Sequence, residues 1–113
     1  MTIKGKDLLE LKENWDSYGA KPVQLKLLVV ANAIYDCINM PEPLWLPTGT
    51  GGVQMEWHTD KMNFEIEVLS SDKVIIYLED IENSEEFEWE GRPDNIMEFF
   101  LFEVEEFYWK NIK

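Results

Sequence analysis

The chain has 113 residues, of which 23 are acidic and 10 are basic, so its formal net charge is −13. A hydrophobic content of 45% with five Trp argues against a disordered acidic tail and indicates one folded domain over residues 1–113. Direct binding to nucleic acid or to an anionic membrane is disfavoured, because contacts to phosphates need clustered Lys and Arg. The charge therefore bears on the choice of partner rather than on the fold.

The single cysteine, Cys37, cannot form a disulfide within the chain and favours a reducing compartment. Residues 1–15 lack a long apolar stretch, so we predict no signal peptide. The longest apolar run, residues 27–34, is interrupted by Asn32 and is too short to cross a bilayer. These features predict a cytoplasmic protein without a membrane span.

Apolar residues at helical spacing predict two N-terminal helices, separated by a turn that contains Gly and Pro. The first helix covers residues 5–15, and the second runs from Pro22 to about residue 39, where prolines end it. The second helix is apolar around nearly its whole circumference, which predicts that it is the most buried helix. Its inner face is predicted to contain Leu25, Leu28, Val29, Ala33 and Cys37.

After a loop rich in Pro and Gly at residues 41–52, with room for a short edge strand at 44–46, the apolar period changes to two. The alternation predicts four antiparallel strands joined by hairpins, at residues 53–58, 64–68, 74–79 and 86–90. A final helix follows at about residues 95–111, with Asp94 as its N-cap. Its inward stripe is predicted to contain Ile96, Met97, Phe100, Leu101, Val104, Phe107 and Tyr108.

The predicted fold class is α+β in two layers, with two N-terminal helices, a four-stranded antiparallel meander and a C-terminal helix. The strand alternation sorts seven glutamates onto the sheet face that the helices leave uncovered. A four-residue loop in the first hairpin would place His58 opposite Glu65 and Glu56 opposite Glu67. The glutamates are Glu56, Glu65, Glu67, Glu79, Glu86, Glu88 and Glu90, and Tyr77 shares their face.

Two interpretations of this face stay open: a solvated surface of a Glu-rich protein, or a negative platform for a basic partner. Facing carboxylates repel each other by up to about 1 kcal/mol, so stability alone would favour interleaved Lys. The C-terminal helix adds a second acidic surface, because Phe102 and Trp109 fall among Glu98, Glu105 and Glu106 at about 100° per residue. Since interfaces are enriched in Trp and Phe, this stripe predicts a contact with a partner or a second copy; the alternative is that neighbouring loops cover the rings.

The sequence contains no recognisable catalytic or cofactor motif, so we predict a protein that is not an enzyme and uses no cofactor. A zinc site would need more His or Cys ligands than His58 with scattered carboxylates, and no metal site is predicted. Residues 49–52 (GTGG) lack the Lys of a phosphate-binding loop and precede a strand instead of a helix. An enzyme that uses carboxylates around His58 is the least favoured alternative.

Two segments resemble known proteins: residues 14–22 (NWDSYGAKP) and residues 51–58 (GGVQMEWH). Together with the strand that follows, they resemble a widespread family of small uncharacterised bacterial proteins that share a WD-[GS]-YGA-x-P turn and a GG-[VI]-Q-[LM]-EWH strand. The resemblance covers about residues 8–79 and implies no activity. If the family has a site, its candidates in this chain are Asp16, Gln54, Glu56 and His58.

The leading hypothesis is a non-enzymatic interaction protein that occupies the basic nucleic-acid-binding surface of a partner and so mimics nucleic acid. Phage or bacterial inhibitors of defence nucleases, such as anti-CRISPR proteins, and antitoxins of nuclease toxins belong to this class. The partner-binding candidates are the seven sheet glutamates and Tyr77, together with Glu98, Phe102, Glu105 and Trp109. The alternative is a bacterial housekeeping protein that acts through its two motifs, as a homodimer.

Overall fold

In the computed structural model, a five-stranded antiparallel sheet carries helices on one of its faces. The structure describes residues 3–95, 104–106 and 108–110. A 3₁₀ helix at Lys6–Glu10 is followed by helix α1 at Leu25–Asp36. The strands are β1 at Leu44–Pro47, β2 at Val53–His58, β3 at Met62–Ser70, β4 at Lys73–Asp80 and β5 at Glu85–Gly91. Residues 93–95, 104–106 and 108–110 are helical.

The sheet is a meander, because each strand pairs with the next one along the chain in the order β1-β2-β3-β4-β5. The α+β class is confirmed, but the prediction of four strands is one strand short. The short edge piece expected near residues 44–46 is β1, which pairs with β2 in the register Trp45↔Met55. An edge position tolerates the proline at the end of this strand, because Pro47 cannot donate to a further strand.

The core lies between the sheet and the helices. Strands β2, β3 and β4 bury every second residue, as the period of two predicts. Phe64 is fully buried and stacks on Trp57, with ring centroids 5.1 Å apart. Helix α1 packs on β2 and β3, and Val104 and Tyr108 of the C-terminal helix join the same core. The glutamate side chains that alternate with these buried residues therefore point to the face of the sheet that lies away from the helices.

The first predicted helix, residues 5–15, is wrong in type and length, since only Lys6–Glu10 is helical. Gly5 enters the 3₁₀ helix in a left-handed conformation with a φ of 77°, and Leu11 leaves it in an extended one. Asn14 is again left-handed, with a φ of 62°, which turns the chain away from a helical path. The apolar spacing nevertheless predicted residues that face the core, because Leu8 is buried and Leu11 packs against the core.

Helix α1 is shorter than predicted and turns a different face inward. It begins at Leu25 instead of Pro22 and ends at Asp36. Of the predicted inner face only Leu28 is buried; Leu25 and Val29 are 55% and 45% exposed, and Ala33 and Cys37 are exposed as well. The buried residues are Leu27, Leu28, Ala31, Asn32 and Ile34.

A buried polar residue accounts for this orientation of α1. The side-chain oxygen of Asn32 accepts a hydrogen bond from the Lys4 N–H at 2.8 Å, and its amide nitrogen donates to the Lys4 and Leu28 carbonyls. These bonds satisfy Asn32 inside the fold, where an unpaired amide would be costly. They also tie the N-terminal segment to the helix, so the face that contains Asn32 points inward.

Within the range predicted for the C-terminal helix, residues 93–95 are helical, so the helical backbone begins one residue before the predicted cap. Pro93 therefore opens the helix, a position that suits its fixed φ, and Asp94 lies inside the first turn. Val104 and Tyr108 are buried, which confirms those two members of the predicted inward stripe. The other members lie outside the described residues: Ile96, Met97, Phe100, Leu101 and Phe107.

Gly52 lies where the backbone of β3 leaves no room for a side chain. A Cβ at this position would lie 2.3 Å from the Val68 carbonyl oxygen and 2.9 Å from Thr48 Oγ1. We expect Gly52→Ala to lower the free energy of unfolding by about 1–3 kcal/mol or more, as measured by urea denaturation. Gly49→Ala is the matched control, because no atom lies within 4 Å of its Cβ position. Equal stability of the two variants would contradict this packing.

Candidate functional site

The seven glutamates predicted on the uncovered side of the sheet do share one face. Tyr77 pairs with Glu65 on one side and with Glu88 on the other, and Glu79 pairs with Glu86, so carboxylates run across neighbouring strands. We call this surface the acidic face. It comprises Glu56, Glu65, Glu67, Glu79, Glu86, Glu88 and Glu90, with Gln54, His58, Asn63, Lys73, Ile75 and Tyr77 between them.

The facing pairs in the first hairpin differ from the prediction. Strands β2 and β3 are joined by residues 59–61, so Glu56 lies opposite Glu65 and His58 lies opposite Asn63. The predicted pairs, His58 with Glu65 and Glu56 with Glu67, are wrong by two residues. A shift of two positions leaves every side chain on its own face. The same residues therefore form the acidic face as predicted, but their contacts with one another differ from the prediction.

A chain of hydrogen bonds crosses the acidic face around His58. The Asn63 amide nitrogen donates to Glu79 Oε1 at 2.7 Å, which leaves its oxygen toward His58 Nδ1 at 2.6 Å. On the other side of the ring, His58 Nε2 lies 2.8 Å from Glu56 Oε1. Both ring nitrogens thus meet acceptors, and only the doubly protonated imidazolium donates from both.

The same contacts shift the charges of this part of the face. The hydrogen bonds to Asn63 and Glu56 raise the pKa of His58 above 6.5. Burial, reinforced by the neighbouring Glu56 carboxylate, raises the pKa of Glu65 above its usual value. Gln54 donates to both carboxylates, at 2.9 Å to Glu65. Both shifts favour the protonated forms of these two groups in the β2–β3 part of the acidic face.

The raised pKa of His58 predicts a pH-dependent stability. Because the folded pKa is higher than the unfolded one, the stabilisation is complete below about pH 6.5 and is lost as the pH rises through the folded pKa. We expect the wild type to lose stability relative to His58→Gln as the pH rises from about 6.5 through the folded pKa of His58. Since His58 is the one histidine in the sequence, its ring protons also give the pKa directly by NMR. A pKa at or below 6.5 would contradict the described contacts.

The β4–β5 part of the acidic face contains a phenol and a lysine that contact its carboxylates. The Tyr77 hydroxyl donates to Glu86 Oε1 at 3.0 Å. Desolvation, this hydrogen bond and nearby carboxylates raise the pKa of Tyr77 to about 12, so the phenol stays a neutral donor. Lys73 pairs with Glu90 at 2.9 Å, an exposed contact that solvent screens. Within the described part of the chain, Glu88 has no hydrogen-bond or ion-pair partner.

A shallow depression of about 240 Å³ lies in the middle of the acidic face. Its composition suits a long basic side chain, whose methylene groups pack on Ile75 and Tyr77 while its charged end meets carboxylates. The lining residues are Gln54, Glu65, Glu67, Ile75, Tyr77 and Glu88.

The two described candidates on the C-terminal helix contact the chain itself. The Asn39 N–H donates to Glu105 Oε1, and Trp109 Nε1 donates to the Asn39 carbonyl at 2.6 Å. These bonds hold the helix against the loop that follows α1. The Trp109 ring therefore contacts a neighbouring loop, which was the alternative to a contact with a partner. The Trp109 side chain is 38% exposed all the same. Glu98 and Phe102 lie outside the described residues.

The two sequence motifs meet in space. Lys21 forms a parallel bridge with Thr50, so the turn of the first motif lies against the loop that leads into the second. The Asp16 carboxylate accepts hydrogen bonds from the N–H groups of Tyr18 and Ala20, at 2.8 and 3.0 Å, within its own turn. The structure brings together the other three family candidates, Gln54, Glu56 and His58, on the acidic face.

Sequence reasoning missed Asn63, which links His58 to Glu79. The predicted strand began at Phe64, one residue short of it, although the parity of the alternation places Asn63 on the same face as Glu65. Extending β3 backward by two residues, to the Met62 that continues the buried row, would have found it.

No family model, curated protein or solved structure matches the chain. Among the described residues, no helix is both long and apolar enough to cross a membrane. Within the same ranges, no three His, Cys, Asp or Glu side chains are grouped so as to hold a metal ion.

Proposed function

We propose that this protein is a non-enzymatic interaction protein whose acidic face occupies the basic nucleic-acid-binding surface of a partner. The observation that carries the proposal is the placement of seven glutamates on one sheet face, opposite the helices. The proposed class includes inhibitors of bacterial defence nucleases, such as anti-CRISPR proteins, and antitoxins of nuclease toxins. Such a partner would place the protein in the cytoplasm.

The arrangement of the glutamates supports a role beyond solubility. Glu56 faces Glu65 directly, and Glu79 faces Glu86. Facing carboxylates repel each other by up to about 1 kcal/mol per pair, and Gln54, which donates to both Glu56 and Glu65, offsets part of this repulsion in the first pair. A surface that served only to keep the protein in solution would gain stability from Lys at half of these positions, and Lys73 is the one Lys among the strand residues that form the face. Retention of the repulsive pairs is expected if a partner supplies the missing positive charge.

The spacing of the carboxylates suits a partner that binds a polyanion. Neighbouring strands lie about 5 Å apart, and residues i and i+2 on one strand are about 7 Å apart. The acidic face thus presents a dense array of negative charge over four strands, as a nucleic-acid backbone does. Lys and Arg side chains that bind phosphates can bind carboxylates with the same charge-assisted geometry.

The mechanism would be competitive exclusion of DNA or RNA from the partner. Complementary charge accelerates the encounter, and salt screens it, so the association rate should fall as the ionic strength rises. The central depression offers a place for one anchoring Lys or Arg of the partner, while the surrounding glutamates provide the long-range attraction.

The experiment is capture of partners from nuclease-treated extracts of the native host, with salt and nucleic acid as competing eluents. We expect a nucleic-acid-binding protein that is released by salt and by DNA or RNA. A partner that stays bound at high salt, or that holds nucleic acid and this protein at the same time, would count against the proposal.

A further inference from the structure

The outer edge of β5 borders the acidic face. β5 is the last strand of the sheet, and among residues 3–95, 104–106 and 108–110 no strand pairs with its outer edge. The opposite edge strand, β1, has four residues and ends in a proline, whereas β5 has seven residues and no proline. A long edge strand without proline is a template for pairing with another chain.

The backbone groups at this edge can be assigned from the hydrogen bonds of the sheet. In an antiparallel sheet, successive residues direct their N–H and C=O groups to alternate sides of the strand. The Ile81 N–H donates to the Lys61 carbonyl at 2.9 Å, which assigns the odd-numbered residues of β4 to the β3 side. Its even-numbered residues bond the odd-numbered residues of β5. The backbone groups of Glu86, Glu88 and Glu90 therefore point to the outer edge.

The two faces of β5 differ in chemistry. The carboxylates of Glu86, Glu88 and Glu90 lie on the acidic face, and a strand paired with their backbone would place its own side chains directly beside them. Phe87 and Trp89 lie on the other face, with their rings stacked 5.9 Å apart, and Phe87 is 41% exposed. An added strand would therefore meet negative charge on one face and an aromatic surface on the other.

A second copy of this chain does not fit this edge. Pairing of two β5 edges would bring the two sets of glutamates face to face, and each chain already carries a formal net charge of −13. Like charges directly opposite each other are destabilising, which is a common way to prevent sheets from joining edge to edge. The same charges favour a strand of opposite sign.

We infer that β5 binds an extended segment of the basic partner in which Lys or Arg alternates with apolar residues, and that this segment adds a strand to the sheet. The inference rests on the proposed function, because it assumes the same basic partner and names the segment of that partner that lies along β5. Main-chain hydrogen bonds to the glutamates of β5 hold the segment. Its basic side chains lie beside their carboxylates, and its apolar side chains cover Phe87.

The probe is a blocked peptide as long as β5, which has seven residues, in which Lys and Val alternate. A peptide with the same composition, with its Val residues in one block, is the control. At about nine-tenths saturation with the alternating peptide, we expect amide hydrogen exchange at Glu86, Glu88 and Glu90 to slow by about tenfold. Absence of binding, or binding without protection of these amides, would overturn the inference.

Two variants of one residue separate the backbone contribution from the charge. Glu88→Pro removes an N–H that points to the edge and keeps the hydrogen bonds of β5 to β4, whereas Glu88→Gln removes only the charge. We expect the proline variant to lose its preference for the alternating peptide and the glutamine variant to keep it. An unchanged preference in Glu88→Pro would overturn the inference; thermal unfolding checks that the variant folds.

The same titrations distinguish this inference from the proposed function. If both peptides bind in a salt-dependent way and shift the resonances of Glu65 and Glu67 while the edge amides stay unprotected, the edge inference fails and the acidic-face proposal stands. If the edge amides are protected and binding depends on salt but is insensitive to reversal of Glu65 and Glu67, the edge inference stands and the acidic-face proposal fails.

Discussion

Replacing Phe64 with Ala is expected to lower the free energy of unfolding by about 3–5 kcal/mol. The Phe64 ring of β3 is fully buried and stacks on Trp57. Its removal loses the burial of the ring and the stacking contact, and it leaves a cavity that the sheet cannot close. Because domains of this size are stable by about 5–15 kcal/mol, this one exchange would remove a large part of the total. Urea denaturation followed by Trp fluorescence measures the loss.

Phe87→Ala is the matched control for this prediction. It makes the same exchange on the edge strand, where the ring is 41% exposed and has less apolar surface to lose. We expect a loss of less than about 1 kcal/mol there. Similar losses in the two variants would contradict the placement of the core under strands β2 and β3, with β5 at its margin.

Reversing Glu65, Glu67 and Glu88 to Lys is expected to weaken binding of the basic partner by on the order of 100-fold or more. All three line the central depression of the acidic face. A loss of about 1 kcal/mol at each position would give this factor. The fold should tolerate the change, because Lys at position 65 would face Glu56 and replace a repulsive pair by an attractive one. Affinity for the captured partner and circular dichroism together test this.

The control for the reversal is a variant with the same change in charge at another place. Glu10, Asp36 and Glu82 are exposed and lie outside the sheet strands, so their reversal to Lys leaves the acidic face intact. We expect only a few-fold loss of affinity from the weaker long-range attraction, which salt screens within about 10 Å. If both variants lose affinity equally, total charge and not the acidic face determines binding.

The acidic face could be predicted from the sequence because side-chain direction in a strand depends only on whether a residue is odd or even. That rule placed all seven glutamates, even where the strand bounds were short by two residues. The facing pairs depend instead on the length of each turn, which composition did not determine at residues 59–61. The contact of His58 with Asn63 therefore had to come from the structure.

The orientation of α1 could not be predicted because the helix is apolar around almost its whole circumference. In such a helix the period of the apolar residues does not select a face. The selection comes from Asn32, whose side chain binds the backbone of Lys4, 28 residues away in sequence. A polar residue is ordinarily placed outward, and nothing local to Asn32 indicates its distant partner.

Competition between this protein and nucleic acid for the captured partner tests the proposed role of the acidic face most directly. Partner bound to labelled DNA or RNA is titrated with the protein, and release of the label is followed by fluorescence anisotropy. If the acidic face occupies the nucleic-acid-binding surface, the apparent Kd rises in proportion to the nucleic-acid concentration and no ternary complex forms. A ternary complex, with an affinity that does not depend on nucleic acid, would contradict it.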